Sequence, residues 1–284
     1  MSLINKWLYL IIGFVVITSV VYAFSFLIND KIDWQVLLFI NPDSPKPVLD
    51  ELMILVTDFS MFVFGLAFFS WEIAYQVSKH NQKAKENAEK ILKLMGIIIA
   101  VVSGSAYFWA DYMYTIVFFP LALSVCCAFW FTGTTMTRYD DGKLRQINRL
   151  FWIVVLSFLL TELAGEAIIK FFVERPRPLW EGYAAHNQGI RTFADETVRM
   201  GYSYVAGHSC VFFALITPMI WFVSNKQIKL YLFLWASIHA FSRIYLAAHF
   251  PYCVLMGAVL GFSMATLVTK ISDFKGSRLK DCED

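Results

Sequence analysis

Charge is scarce in this sequence, and the little that is present nearly cancels. Charged residues make up 16% of the 284 residues, and 24 basic side chains against 22 acidic ones leave a formal net charge of +2. A protein that binds nucleic acid needs a surplus of cations to neutralise phosphates, so this class has no electrostatic support. We therefore expect no nucleic-acid partner.

Cysteine is also sparse, and its distribution excludes two further classes. The five cysteines show neither the spacing of a metal site nor that of a disulfide framework. We therefore expect no metal ligands among them. The cysteines are Cys126, Cys127, Cys210, Cys253 and Cys282.

Apolar residues are what the sequence has in abundance. Hydrophobic residues account for 58% of the chain and aromatic residues for 17%, with a mean hydropathy of +0.57. Runs of about 20 apolar residues are typical of helices that span a membrane. Because backbone polar groups inside a bilayer must be paired within their own segment, we predict an all-α, polytopic helix bundle surrounded by membrane lipids.

The apolar runs predict about eight transmembrane helices in a single integral membrane domain, residues 1–284, without repeats or low-complexity linkers. The first run lacks a small-residue cleavage site, so we expect a retained helix rather than a signal peptide. We assign no role to the N-terminal helices, residues 1–149, and expect the catalytic core at 150–270. The predicted helices cover about 7–28, 52–77, 91–110, 114–134, 150–172, 207–223, 230–247 and 251–268.

The connections between these helices predict the topology. An acidic loop is expected between the first two helices, whereas the connections at 78–90, 135–149 and 224–229 and the C-terminal tail are basic. An even number of spans puts those basic segments and both termini on one side, which the positive-inside rule makes cytoplasmic. The polar clusters of the C-terminal half then share the non-cytoplasmic face.

Three polar clusters in the C-terminal half are candidates for function, because ionisable groups near a bilayer are costly. Their three cations suit a phosphate dianion, and their two histidines suit a nucleophile and a proton donor. Taken singly, each cluster also fits a structural explanation, such as an interfacial lysine, a helix cap or a hydrogen-bonded histidine. In chain order the clusters are Lys170 with Arg177-Pro178, Gly207-His208-Ser209, and Ser242-Arg243 with His249.

The order and spacing of these clusters resemble the type 2 phosphatidic acid phosphatase superfamily, over roughly residues 160–268. That family has the motifs K-x6-R-P, P-S-G-H and S-R-x5-H-x3-D, and three motifs in order are far more specific than one. The corresponding stretches here are Lys170-x6-Arg177-Pro178, Ala206-Gly207-His208-Ser209 and Ser242-Arg243-x5-His249.

The resemblance implies a metal-independent membrane phosphatase without a cofactor, which hydrolyses the phosphomonoester or diphosphate of a lipid or prenyl phosphate. By resemblance, His249 is the nucleophile that forms a phosphohistidine and His208 is the general acid. The groups that would bind the phosphoryl group are Lys170, Arg177, Arg243 and the backbone of Gly207. Candidate supporting groups are Glu166, Ser209 and Cys253.

Two of the three motifs depart from the family pattern. In the second motif, Val205 and Ala206 replace the proline and the serine, and Ser203 and Ser209 are candidates for the role of that serine. Cys253 replaces the aspartate that orients the nucleophilic histidine, and a thiol is a weak hydrogen-bonding partner. If the geometry is otherwise intact, we expect Cys253→Asp to raise activity.

Two further features bear on the site. Glu162, Glu166 and Lys170 are four residues apart and share a helix face, which suits either a Glu166–Lys170 pair or polar contacts between helices. The loop at 173–206 is the expected specificity element, although its aromatic residues also suit interfacial anchors. The residues singled out in this loop are Trp180, Tyr183, His186, Arg191 and Arg199.

Other functions stay open at this stage. A lipid phosphotransferase would use the same His249 intermediate and pass the phosphoryl group to an acceptor lipid. A catalytically silent protein that binds a lipid phosphate would retain the cations and lose the chemistry, as Ala206 and Cys253 suggest. A transporter is less favoured, because the sequence has no inverted repeat or pair of broken helices. The oligomeric state is left open.

Overall fold

The computed structural model describes residues 3–41, 44, 46–78, 81–106, 112–179, 189–191 and 201–272. In these residues the regular structure is helical, and Pro176 and Tyr202 form an isolated β-bridge. A 3₁₀ turn follows α1, and a π-helical segment joins α6 to α7. The helices are α1 Leu3–Ala23, α2 Asp30–Ile40, α3 Pro47–Ser78, α4 Gln82–Ala106, α5 Tyr112–Arg138, α6 Asp141–Glu162, α7 Lys170–Val173, α8 Gly207–Phe222, α9 Lys226–Tyr245 and α10 Pro251–Ile271.

The predicted all-α class is confirmed for the described residues, whereas the count of about eight transmembrane helices is not confirmed. Among those residues, three helices are long and apolar enough to cross a membrane. A shorter apolar helix covers Gly207–Phe222. The three longer helices are Leu3–Leu27, Asp141–Val173 and Pro251–Ile271.

Segments expected to be connections are partly helical. The predicted acidic loop contains α2, whose N-terminus is capped by Asn29: its Oδ1 accepts a hydrogen bond from Ile32 N–H at 3.2 Å. Asp30 and Asp33 lie in the first turn of α2, where the helix dipole favours negative charge. Similarly, α4 begins at Gln82, so most of the lysine-rich connection is helical. These polar segments were therefore expected to be loops, but they form helices with capped ends.

Contacts divide the chain into two compact units. Unit 1 combines Met1–Ile54 with Trp152–Asp284, so the first helices pack with the C-terminal half, and it contains all three polar clusters. Unit 2 covers Leu55–Phe151 and has a core of its own. Its core side chains are Trp71, Ala74, Tyr75, Leu92, Val125, Phe129, Met136 and Leu144.

Helices α8 and α10 pack closely, and two glycines of α10 permit it. A Cβ added to Gly257 would lie 2.7 Å from the main-chain oxygen of Ala206, and one on Gly261 would lie 3.0 Å from Ala214 N. Small residues allow this backbone approach between membrane helices. The contact holds the N-terminus of α8, which carries His208, against the N-terminus of α10, which follows His249.

We predict that Gly261→Ala lowers the thermal midpoint of the detergent-purified protein, because its methyl group meets the α8 backbone. Overpacking of this kind costs about 1–3 kcal/mol. Gly65→Ala on α3 is the matched control, since a Cβ there has nothing within 4 Å and alanine favours helix. An equal change in both variants would contradict the packing account.

Candidate active site

The first cluster lies at the end of a long helix that changes its winding. The π-helical segment Leu163–Ile169 carries Glu166, and α7 begins with Lys170. Such segments are frequent at functional sites. Lys170 Nζ forms an ion pair with Glu166; the lysine side chain is 9% exposed and the glutamate side chain 43%. The pairing expected from their four-residue spacing is therefore present.

The first and second clusters meet at Gly207. A Cβ added to Gly207 would overlap Glu166 Oε1 and would lie in ordinary contact with Lys170 Nζ, at 3.7 Å, so a side chain here would displace the Glu166 carboxylate. Gly207 is the first residue of α8, where backbone N–H groups and the helix dipole favour an anion. In this structure the Glu166 carboxylate lies at that helix end, paired with Lys170.

The third cluster lies at the end of α9 and in the turn that follows. The main-chain oxygen of Arg243 accepts hydrogen bonds from Ala248 N at 3.0 Å and His249 N at 3.2 Å. Ala247 has a φ of 53°, in the left-handed region, which folds the chain back for these contacts. The five-residue spacing between Arg243 and His249 therefore forms a closed turn that fixes both residues.

The His249 ring is buried and held through one nitrogen. Its Nδ1 lies 3.0 Å from the main-chain oxygen of Ser203, and the Ser203 hydroxyl lies 3.4 Å from the same nitrogen. A carbonyl oxygen only accepts, so this contact assigns the proton to Nδ1. The lone pair then lies on Nε2, which is the form of histidine that attacks phosphorus.

The electrostatic surroundings also favour neutral His249. Burial lowers the pKa of His249 well below its usual value of 6.5, and the charges of Arg177, Arg243, Lys170 and His208 lower it further. One imidazole thus experiences the three cations and the second histidine singled out in the sequence. The structure therefore brings all three clusters together around His249.

Two candidate supporting groups have other contacts than expected. The Ser209 hydroxyl donates to the main-chain oxygen of Val254 at 2.8 Å and so joins α8 to α10. Cys253 is buried, and its sulfur accepts a hydrogen bond from Arg175 Nη1 at 3.1 Å. Cys253 therefore packs against a buried guanidinium.

Sequence patterns missed several contacts around the site. Ser203 was a candidate for its hydroxyl but acts through its main-chain oxygen, which has no signature in the sequence. Asp33 and Asp30 of α2 pair with Arg175, and the stretch Arg175-Pro176-Arg177-Pro178 is a signal that could have pointed to this arginine. His239, also missed, is buried in α9 with its ring centroid 5.7 Å from that of His208.

Only part of the predicted specificity loop is described. Arg191 forms two hydrogen bonds with the Asp50 carboxylate, and Tyr245 donates to the same carboxylate at 2.6 Å. This network links Arg191 to the last residue of α9, two residues after Arg243. The other residues singled out in the loop lie outside the described residues: Trp180, Tyr183, His186 and Arg199.

Comparison with known proteins supports the family that the motifs predicted. Residues 150–277, just under half of the chain, match the model described as the PAP2 superfamily, and the match contains all three clusters. The match supports a member of the type 2 phosphatidic acid phosphatase superfamily. It indicates phosphatase-type activity on lipid phosphates and, with the apolar helices, a membrane protein. No curated protein and no solved structure matched the chain.

We predict that Glu166→Gln strengthens the binding of inorganic phosphate several-fold. The substitution removes a carboxylate that repels the dianion and pairs with Lys170, and one such repulsion costs about 1 kcal/mol at 4 Å in water. Isothermal titration would measure the dissociation constant. Glu162→Gln, one helical turn farther from Lys170, is the control. Unchanged or weaker phosphate binding by Glu166→Gln would contradict this account.

The lowered pKa of His249 predicts a pH-dependent stability. Below about pH 6.5 the unfolded chain binds a proton at His249 that the folded protein does not. The free energy of unfolding therefore decreases as the pH is lowered. The maximum slope is about 1.4 kcal/mol per pH unit. Thermal midpoints from pH 7.5 to 4.5 should therefore fall more steeply for the wild type than for His249→Gln, whereas parallel curves would show that His249 ionises normally.

Proposed function

We propose that the protein is an integral membrane phosphatase that hydrolyses the phosphomonoester or diphosphate of a lipid or prenyl phosphate through a phosphohistidine on His249. The observation that carries the proposal is the orientation and the neutral state of the His249 ring. Its Nδ1 is bound to the Ser203 carbonyl, and its pKa is lowered by burial and by three cations. These features supply a neutral, oriented nucleophile next to an anion-binding cradle.

In the first step, Lys170, Arg177 and Arg243 neutralise the phosphoryl oxygens, together with the N–H groups at the start of α8. His249 Nε2 attacks phosphorus, and a new P–N bond forms as the bond to the leaving oxygen breaks. His208 donates its proton to that oxygen, so the lipid leaves as an alcohol or, from a diphosphate, as a monophosphate. The cations stabilise the charge that develops in the transition state.

In the second step, a water molecule occupies the position that the leaving group has vacated. The water oxygen attacks phosphorus while His208, now neutral, accepts a proton from the water. The P–N bond breaks, its electrons return to Nε2, and inorganic phosphate is released. Three fixed cations supply the charge neutralisation that a metal ion provides in other phosphatases, so the reaction is expected to proceed in EDTA.

The site suits a headgroup that is presented at a membrane surface. The charge pattern of the connections supports a site on the non-cytoplasmic face and cytoplasmic termini. Lys170 lies in the last turn of one candidate membrane span and His249 lies just before another, which supports a site at the depth of a lipid phosphate. A lipid phosphate or prenyl phosphate therefore reaches the cations while its chains stay in the bilayer.

Two alternatives use the same residues. A phosphotransferase would pass the phosphoryl group from His249 to an acceptor lipid in place of water. A silent lipid-phosphate-binding protein is favoured by Ala206 and Cys253, which replace polar groups of the family motifs. The contact between His249 and the Ser203 carbonyl favours catalysis, because it orients the ring without the missing aspartate.

Phosphate release by the detergent-purified protein tests the proposal. The substrates would be phosphatidic acid, phosphatidylglycerol phosphate, prenyl mono- and diphosphates and a sugar phosphate, all with EDTA. We expect release from at least one lipid or prenyl substrate and a loss of at least about a thousandfold in His249→Ala. His80→Ala, in the lysine-rich connection, is the matched control and should retain full activity.

Each alternative has its own outcome in this assay. Release that requires an added acceptor lipid, with phosphorylated acceptor as product, would identify the phosphotransferase. Wild type and His249→Ala that bind a lipid phosphate equally and release no phosphate from any substrate would identify the silent protein.

A further inference from the structure

The third motif lacks its aspartate, yet a buried carboxylate lies one guanidinium away. Arg175 Nη1 donates to the Cys253 sulfur at 3.1 Å and to Asp33 Oδ2 at 2.7 Å. The Asp33 side chain is 5% exposed and that of Arg175 is 6% exposed. The Phe250 ring covers the guanidinium, with its centroid 4.1 Å from Arg175 Cζ. Asp33 belongs to α2, outside the region that matches the family.

Both oxygens of Asp33 are used: one binds the backbone that follows His249, and the other binds the side chain of Arg175, whose own backbone pairs with Ser203. Oδ2 accepts from Arg175, as above, while Oδ1 accepts from Tyr252 N at 2.9 Å, in the first turn of α10. The N-terminus of α10 follows His249 directly, so this bond fixes the C-terminal side of the turn that carries His249.

The Arg175 backbone leads to the His249 ring through main-chain hydrogen bonds. Ser203 N donates to the main-chain oxygen of Arg175 at 2.6 Å, and the Ser203 oxygen accepts from His249 Nδ1 at 3.0 Å. Asp33 fixes the side chain of Arg175, and Arg175 holds the backbone of Ser203. Every link from the carboxylate to the imidazole is therefore a bond between buried groups.

We propose that Asp33 is the positioning residue of His249 and does for this chain what the aspartate of the third motif does elsewhere in the family. It acts through Arg175 and the Ser203 carbonyl and touches neither substrate nor reacting atoms. The proposal rests on the proposed function, since it concerns the orientation of the same nucleophile. It also gives α2 a role in the site.

Asp30 offers a matched control on the same guanidinium. It accepts from Arg175 Nη2 at 2.7 Å, but its side chain is 64% exposed. Exposed ion pairs contribute little, whereas removal of one partner from a buried pair is costly. If Asp33 served only to neutralise Arg175, the two substitutions would differ in stability alone and not in the state of His249.

The test compares Asp33→Asn with Asp30→Asn in the full-length, detergent-purified protein. An amide has one acceptor oxygen in place of two, so the substituted side chain cannot offer a separate oxygen to each of Arg175 and Tyr252. We expect kcat to fall about 10- to 100-fold in Asp33→Asn with KM within about threefold, and both constants to stay within about twofold in Asp30→Asn. A loss confined to KM, or equal effects in the two variants, would overturn the proposal.

A second readout does not depend on turnover. Nitrogen-15 NMR of histidine-labelled protein, with the His249 signals assigned from His249→Gln, reports which ring nitrogen carries the proton. We expect the Nδ1–H form in the wild type and in Asp30→Asn, and a mixture of forms in Asp33→Asn. An Nε2–H form in the wild type, or an unchanged spectrum in Asp33→Asn, would overturn the positioning role even in a protein without phosphatase activity.

Moving the carboxylate provides a rescue experiment. Asp33 Oδ2 and Cys253 Sγ accept from the same nitrogen of Arg175, so Cys253→Asp in the Asp33→Asn background restores an anion to that nitrogen. We expect the double variant to regain at least about tenfold in kcat over Asp33→Asn. Failure to regain activity while the double variant folds and binds phosphate would count against a shared role.

The failures of the two proposals are distinguishable. If the wild type releases no phosphate while the NMR spectra follow the expected pattern, the phosphatase function fails and the positioning role stands. If the wild type is active and depends on His249, yet Asp33→Asn matches it in kcat and in the His249 spectrum, only the positioning role fails.

Discussion

The hydrogen bond from His249 Nδ1 to the main-chain oxygen of Ser203 is the contact on which the candidate site depends. It selects one tautomer of the ring and directs the other nitrogen away from this contact, while burial and three nearby cations keep the imidazole neutral. Without an oriented acceptor at this position, a histidine in a cationic surrounding has no fixed direction of attack. The carbonyl makes that acceptor part of the backbone, which explains how the ring is held where the motif has Cys253.

Several other contacts in the structure hold Ser203 and His249 in position relative to each other. The glycines of α10 allow it to pack closely on α8, and a bond from Ala206 N to the Cys253 oxygen, at 3.0 Å, joins the ends of the two helices. The main-chain oxygen of Arg243 closes the turn in front of His249. Helix α2 adds the Asp33–Arg175 pair, and the Asp50–Arg191 pair holds Arg191 near Tyr245.

The sequence predicted the clusters well because their spacing is short and their residue types are rare in apolar surroundings. Lys170, Gly207 and His249 were each recognisable from local patterns, and the structure brings them together. Ser203 was recognised only for its hydroxyl, since a main-chain contact leaves no trace in residue identity. Asp33 was concealed for another reason: it lies 220 residues before Cys253, in a segment whose polar composition resembled a loop.

The helix count shows a second limit of sequence patterns. Hydropathy predicted about eight spans, whereas three of the described helices satisfy length and hydropathy together. Charged residues at helix ends, as in α4 and α6, extend helices beyond their apolar parts. Capping and tertiary contacts decide these ends, and neither is visible in composition.

The most direct test of the account is to trap the phosphoenzyme. The purified protein would be mixed with a ³²P-labelled lipid phosphate that it hydrolyses, quenched with alkali within milliseconds to seconds, and mapped by peptide mass spectrometry. The account predicts an alkali-stable, acid-labile label on His249 that forms and decays at rates compatible with turnover. Turnover without a labelled intermediate on that time scale, or a label on any other residue, would contradict it.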